Sequence, residues 1–416
     1  MILKSQMNVQ DLNTKIRDEG FSDKKPNEDI AYQITEKLAF PRLVGSKGEK
    51  KAIQIILDEF KKVEYNTIHR ESFKTSFYNW IFLRYAFIPI GIGLILLAVS
   101  FFINSWLTLG FIALNIFMAS KILGLATTDK IHLLKDREKN YDTENIYVDL
   151  KSKNAKATII FMGHWDSKSQ TFPSSIRIII SLITLLSFFI MLLIYLIFAI
   201  IELIFSFNNS IADFVLLYSS ITFAIIANLN YFNKTGNNSP GAYDNAAAVG
   251  VIIELARYFK ENPLENIDLI CLCTSSEELN LGGAKDFIKN HKHDFDKKST
   301  YFINFDLIGG KELIKVVTSY GIPRKESSKK LNDLFLTSAK ELNIKANKTY
   351  LITGAWSDYM PIVQEGFEAC WIGSQPGLKY VHTKKDDMNL VSKEGIRNIL
   401  LLCVDVVNKI NDELNL

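Results

Sequence analysis

Cysteine is scarce in this 416-residue chain, with 4 in all. No disulfide framework is implied, and nothing demands an oxidising compartment. Cys271 and Cys273 lie in IDLICLCTSS, which reads as a buried strand; without a second cysteine pair, a thiol metal site is the poorer account. An excess of one charge is also lacking, since 48 basic residues face 45 acidic ones for a net +3. The basic residues are dispersed except beside the apolar blocks, so no nucleic-acid partner is expected. The first thirty residues hold no apolar core long enough for a signal peptide, and the N-terminus is expected to be retained. No internal repeat or low-complexity tract is evident.

Apolar residues, by contrast, are in surplus. They make up 48% of the chain, with 28 Phe, and they fall in blocks. Ile81 to Asn104 and Trp106 to Leu125 are each long enough to cross a bilayer core of about 30 Å as a helix. Asn104-Ser105 between them is a tight turn, so the pair reads as a hairpin. Trp80 and Trp106 stand where interfacial aromatics are expected, and Arg84 can snorkel to the headgroups. Ile176 to Phe207 and Ile211 to Tyr231 form a second hairpin around Asn208-Asn209-Ser210. The third block exceeds one straight span, and tilt or an interfacial stretch near Glu202 absorbs the surplus. Soluble helices rarely run this long without a polar face, so membrane spans are favoured over a buried soluble core.

The remainder alternates helix and strand. Helical periodicity covers about 30–62, broken by FPRLVGSKGEK; YNTIHRESF, NIYVDLKS and KATIIFMGHWD read as strands. After Pro240 the order is helix Ala246 to Lys260, strand Ile267 to Cys273, helix Gly283 to Asn290 and strand Tyr301 to Phe305. Then follow the strand IKVVTS, a helix from about Lys325 to Glu341, a strand at Ala369 to Ile372 and a helix from Lys393 to Asn411. This predicts an α/β fold, helices on both faces of a mostly parallel central sheet, with two inserted transmembrane helical hairpins. The expected organisation is an N-terminal extension over 1–29, an α/β domain over 30–79, 140–170 and 235–416, and hairpins over 80–126 and 175–232.

Ligands of such sheets collect at strand carboxyl ends, and five segments with chemistry sit at strand ends or helix starts: GHWDS, GAYDNAAAVG, SSEELNLGG, INFDLIGG and KYVHTKKDD. They carry His164 and Asp166, Asp244, Glu277 and Glu278, Asp306, and His382. The strand period of two puts Asp166 on the face of His164, where a carboxylate can orient a metal-bound imidazole. Asp244 precedes a helical run, so it is either an N-cap or a carboxylate bridging two cations. The Glu277-Glu278 pair is costly unless hydrated or neutralised, and it can divide into a ligand and a proton acceptor. Asp306 abruptly ends the apolar run YFINF. Two divalent ions bring four positive charges; Asp244, Glu278, Asp306 and a hydroxide balance them, leaving Glu277 as a base. One imidazole per ion fits Zn²⁺ and admits Mn²⁺ or Co²⁺. His291 and His293 read as solvated surface, as do Asp386 and Asp387 apart from a possible helper role for either.

In this order the motifs resemble the di-zinc aminopeptidase family of aminopeptidase Y, whose relatives include glutamate carboxypeptidase and glutaminyl cyclase. FPRLVGSKGEKKA and WSDYMPIVQEGFEA resemble two further family segments. The resemblance covers about 30–75 and 140–416, with the hairpins outside it. It implies a zinc-exopeptidase-like α/β/α domain, with His164, Asp244 and Asp306 on one zinc and Asp244, Glu278 and His382 on the other. It further implies Glu277 as general base, Asp166 as partner of His164, and Asp358 near the site. Tyr359 departs from the histidine common after that Asp, and the insertion after Asp166 is unusual.

The function implied is a membrane-anchored metallo-aminopeptidase that hydrolyses N-terminal residues of peptides. The alternatives are a glutaminyl-cyclase-like or carboxypeptidase enzyme on the same scaffold, or a non-catalytic membrane binding protein. Lys74, Arg84, Lys121, Lys130, Lys168, Arg177 and Lys234 flank the spans on the enzyme's side, while the hairpin turns carry no Lys or Arg. The expected placement is therefore an integral membrane protein with four spans and a cytoplasmic catalytic domain.

Overall fold

Strand β3 (Ala157–His164) is buried along nearly its whole length. Its residues ATIIFMGH are apolar on both faces, as a strand between two helical layers requires. The structure, a computed structural model, describes residues 25–65, 67–126, 141–205, 210–321, 323–351 and 356–415. Trp80's side chain, Lys130, the Asn208-Asn209 turn and most of the N-terminal extension lie outside the described residues.

In chain order the α/β body begins with α1 (Glu28–Leu38) and α2 (Lys47–Lys62), whose N-caps are Asn27 and Ser46. Then come β1 (His69–Thr75), the first apolar hairpin of α3 (Tyr78–Ile103) and α4 (Ser105–Ala126), β2 (Tyr141–Leu150) and β3. The two-residue β4 (Ser169–Gln170) leads into the second hairpin, α5 (Ser174–Phe205) and α6 (Ser210–Leu229), and β5 (Thr235–Gly236) leads out. The remaining order is α7 (Ala247–Glu261), β6 (Ile267–Thr274), α8 (Gly282–His291), β7 (Thr300–Phe305), β8 (Ile314–Tyr320), β9 (Lys325–Glu326), α9 (Lys329–Glu341), β10 (Ala346–Leu351), α10 (Tyr359–Gln364), β11 (Glu368–Ser374) and α11 (Lys393–Asn415).

The sheet order is β1-β2-β6-β3-β7-β11-β8-β10, with β9 on β8. β1, β6, β3, β7 and β11 run one way; β2, β8 and β10 oppose them. The carboxyl ends of β3, β6, β7 and β11 therefore share one edge. One apolar core lies around this sheet, filled by side chains such as Phe161, Phe259, Phe302 and Phe305. The helix expected from Lys325 starts four residues later. Residues 325–326 pair with 319–320 instead, and the Ser328 hydroxyl caps the helix by accepting the Leu331 N–H. Strand β10, with its polar sequence ANKTYL, had no apolar alternation to announce it.

The four hairpin helices pack on one another around Leu94, Leu97, Phe101, Phe188, Met191 and Tyr195. Each is long and apolar enough to cross a membrane, over 84–103, 105–122, 174–205 and 210–232. Their outward faces expose large apolar side chains, among them Leu186, Ile204 and Tyr218. Polar contacts also link the helices: the Tyr195 hydroxyl lies 2.9 Å from Ser220 Oγ, and Ser105 donates to Glu202 near the hairpin tips.

Candidate metal centre

The six site residues predicted from the motifs meet at the carboxyl edge of the sheet. His164 is the last residue of β3, Glu277 and Glu278 follow β6 after two serines, and Asp306 directly follows β7. His382 lies in the loop after β11, with a left-handed φ of 63°. Asp244 sits in the kinked segment before α7 with φ −123° and ψ 82°, and no side chain caps that helix. The N-cap alternative for Asp244 is thus not realised; its carboxylate points at the two histidines.

His164 Nε2 is 3.1 Å from Asp244 Oδ1 and 3.8 Å from both Asp306 Oδ1 and Glu277 Oε2. His382 Nε2 is 2.9 Å from Glu278 Oε2 and 3.4 Å from Asp244 Oδ2. The donor atoms thus form two groups that share Asp244: His164, Asp244 and Asp306, then Asp244, Glu278 and His382. Within each group the atoms lie within 4.8 Å of one another, and all these residues are buried. His164 Nδ1 faces the carbonyl oxygen of Asp166 at 3.1 Å, an acceptor, so this nitrogen carries the proton. Nε2 then presents its lone pair to carboxylates and, despite the short distance to Asp244, makes no well-formed hydrogen bond. A buried lone pair among carboxylate oxygens is satisfied by a proton or a cation. One imidazole and two carboxylates per group is a donor set that fits zinc.

Electrostatics point the same way. Burial alone would lower the His164 pKa, but the charge of Glu277 and the nearby carboxylates of Asp166, Asp244 and Asp306 hold it well above its ordinary value. Burial would raise Asp244; the His164 and His382 imidazoles take it far below the usual carboxylate range. Glu277 is pushed well up, chiefly by burial and then by Asp306, Glu278 and Asp358, against the opposing pull of His164. A carboxyl with raised proton affinity, buried beside a cation site, has the character of a general base.

Asp166 departs from the expected geometry. Its carboxylate is 3.5 Å from His164 Nδ1, while its two oxygens accept the backbone N–H groups of Glu277 (3.2 Å) and Glu278 (3.3 Å). It therefore positions the glutamate pair as much as the imidazole. Asp358 is buried, bonded to Thr274 Oγ1, and pushed up to about 7 by burial. Tyr359 is buried as well.

Several neighbours were not foreseen. Asp386, read as solvated, is fully buried: its Oδ1 accepts the Tyr243 N–H at 2.8 Å and its carbonyl accepts the Ala242 N–H, so it anchors the Asp244 segment. Lys168, read as a flanking surface cation, is buried with Nζ 2.7 Å from Glu278 Oε2. Gln170 Nε2 and Ser174 Oγ approach His382 Nδ1 at 2.9 and 2.8 Å. His291 is not free surface either; it contacts Glu71 at 2.7 Å and Asp294 at 2.9 Å. The only cue for Lys168, Gln170 and Ser174 was their closeness in sequence to Asp166. A pocket opens over the centre, walled by Arg177, Trp356, Trp371, Leu378 and Val381.

The chain has counterparts in sequence and in fold. Over 164 residues the chain is 26% identical to aminopeptidase YwaD of Bacillus subtilis (strain 168), a match covering 38% of this chain and 35% of that protein. The match thus spans about a third of the curated relative. Among solved structures, the aminopeptidase of Aneurinibacillus sp. strain AM-1 superposes with a TM-score of 0.56 at 15% identity, covering 92% of this chain and 94% of that one. The zinc aminopeptidase BSAP of Bacillus subtilis gives 0.53 at 14%, covering 93% and 96%. An Acidobacteriales bacterium glutaminyl cyclase gives 0.54 at 15%, covering 95% and 98%. At these identities the likeness is one of fold, and the sheet with its helical layers is that of the zinc aminopeptidases. Residues 227–407, which hold Asp244, Glu277, Glu278, Asp306 and His382, match the model of peptidase family M28.

Proposed function

We propose that the protein is a membrane-anchored di-zinc metallo-aminopeptidase that removes N-terminal residues from peptides. The observation that carries this reading is the pair of overlapping buried donor groups joined at Asp244, with Glu277 beside them. His164, Asp244 and Asp306 would hold one zinc, and Asp244, Glu278 and His382 the other. Zinc bound there supplies Lewis acidity for the scissile carbonyl and makes water a nucleophile near neutral pH.

The chain's own residues do the rest. Glu277, at the pocket floor and outside both donor groups, accepts the proton of the attacking water and delivers it to the leaving amine. Asp166 fixes Glu277 and Glu278 through their backbone N–H groups and His164 through its tautomer. The Trp356, Trp371, Leu378 and Val381 walls bury the substrate's first side chain and exclude water. Four apolar helices embed the protein in the bilayer. Lys74, Lys121 and Lys234 beside their body-side ends favour a cytoplasmic catalytic body by the positive-inside rule. Lys168, committed to Glu278, no longer counts toward that argument.

The test uses full-length protein purified in detergent, with zinc quantified and activity measured on aminoacyl peptides, their N-acetylated forms and N-terminal glutaminyl peptides. Two zinc ions per chain and cleavage only of free N-termini are expected. Cyclisation of glutaminyl peptides without cleavage would transfer the protein to the cyclase reading, and absence of bound metal would end the enzyme reading.

A further inference from the structure

Both membrane-length hairpins leave the α/β body from one edge of the sheet, and that edge also carries the metal centre. β1 is parallel to β3 and β6, so Thr75 at its end lies on the side of His164 and Thr274. Thr75 Oγ1 is 2.6 Å from Ser276 Oγ, next to Glu277, and α3 starts three residues later. The second hairpin reaches closer still. Ser174, the first residue of α5, has its hydroxyl 2.8 Å from His382 Nδ1, and Arg177 one turn on lines the same pocket. On the other side of this turn Ile176 and Ile179 are exposed, 46% and 54%. One face of α5 thus closes the pocket while the other presents apolar surface outward.

The membrane boundary can be located from polar contacts at the near end of the helical bundle. Arg84 Nε donates to the Tyr231 carbonyl at 2.8 Å, and Ser181 Oγ lies 3.4 Å from Asn230 Oδ1. Ser181 is seven residues beyond Ser174 on the same helix, about 10 Å of rise. The metal centre is therefore about 10 Å above this rim, just outside a headgroup layer that adds roughly 5–8 Å per leaflet to the hydrocarbon core.

We propose that the substrate is the N-terminal segment of a polypeptide anchored in the same bilayer, cleaved where it emerges by only a few residues. This rests on the aminopeptidase reading and adds its substrate class. A fully extended chain gains about 3.4 Å per residue, so about 3 residues reach the centre from the membrane; a site on the opposite edge, some 30 Å further, would need roughly 12.

Two measurements test it on the full-length, zinc-loaded protein in liposomes. The first uses peptides with one N-terminal sequence joined to a stearoyl anchor through uncharged spacers of about 4 to about 16 residues. We expect kcat/KM at the short spacer to fall within threefold of the long one; a tenfold or greater deficit at the short spacer overturns the inference. The second needs no turnover. All native cysteines are buried, so a fluorophore can be placed on Lys379→Cys, beside the pocket residue Leu378, or on Lys153→Cys, in the turn between β2 and β3 at the opposite edge. Headgroup-quencher lipids should quench the first label at least twofold more than the second, and the reverse order overturns the placement. Failure on soluble and anchored peptides alike, with the quenching order as expected, overturns the peptidase reading and this substrate with it. Cleavage of soluble peptides combined with the short-spacer deficit overturns this inference alone.

Discussion

Replacing Arg42 by methionine should loosen the metal centre from behind. The Arg42 side chain is fully buried and donates to five carbonyls, those of Leu38, Phe40, Trp165, Pro240 and Gly241. Leu38 O also accepts the Phe40 N–H, and Gly241 O the Ala246 N–H. For Phe40, Trp165 and Pro240 it is the only partner among the described residues. A buried acceptor left unpaired costs about 1–3 kcal/mol; Trp165 is buried, while Phe40 and Pro240 are half-buried and reachable by water, which places the net loss near 2–4 kcal/mol. Trp165 stands between His164 and Asp166, and Gly241 is three residues before Asp244. The same change should therefore weaken zinc binding about 10–100-fold, as loss of outer support does at metal sites. Arg42→Lys, with three donors on one nitrogen, should fall between wild type and Arg42→Met. Thermal unfolding followed by tryptophan fluorescence, alongside zinc titration against a chromophoric chelator, reads both effects. If Arg42→Met loses less than about 1 kcal/mol and binds zinc as wild type does, the carbonyl accounting is wrong.

Other outcomes follow from the site. Glu277→Gln keeps the shape but not the base, so kcat should fall about 10²–10⁴-fold with zinc content unchanged; near-normal turnover would remove Glu277 from the mechanism. His164→Ala breaks only the first donor group, and metal analysis should find about one zinc per chain lost while the Glu278–His382 group keeps its own. Asp358 predicts a pH effect in the metal-free protein. Its folded pKa near 7 exceeds the ordinary 3.8, so between those values the folded state binds more protons than the unfolded one. Stability from this group is present below about pH 4 and declines as pH rises toward 7. Asp358→Asn should therefore gain on wild type across that interval, on the order of a few kcal/mol by denaturant unfolding, and a pH-independent difference would contradict the assignment.

What could be read before the structure was whatever has a period or a motif. β3, β6 and β7 are short apolar runs ended by polar residues, and the site residues stand at those ends because a sheet edge is where a buried strand first meets solvent. Long-range partners left no such trace. Lys168 looked like a cation beside a membrane span, and only the folding of β6 next to β3 reveals that its ammonium meets Glu278. Asp386 sits among two lysines and another aspartate, a pattern that reads as solvated loop. Its burial comes from the Asp244 segment packing over it, a contact across 143 residues. Polar β10 was invisible for the opposite reason, being an edge strand whose pairing with β8 does not require apolar alternation.

The same topology explains how an α/β body tolerates two long apolar hairpins. An insertion is cheap where the chain's two ends already lie side by side, because the host pays no new loop-closure entropy. The first hairpin leaves at Thr75 and returns at Tyr141, which are direct partners in the β1–β2 ladder. The second leaves after Gln170 and returns at Thr235, again direct partners, in the two-residue β4–β5 clamp. Phe172 N–H and Asn233 Oδ1 (3.0 Å), then Asn233 Nδ2 and Gln170 Oε1 (3.2 Å), extend that clamp toward His382. The hairpins' shared placement at the carboxyl edge sets the candidate site beside the apolar helices, and it makes the clamp a structural link between hairpin and ligand. Asn233→Ala, which cuts the link while leaving every donor atom of both groups in place, should then weaken zinc at the Glu278–His382 group while sparing His164 and Asp306; equal weakening of both ions would show that the clamp serves the fold alone.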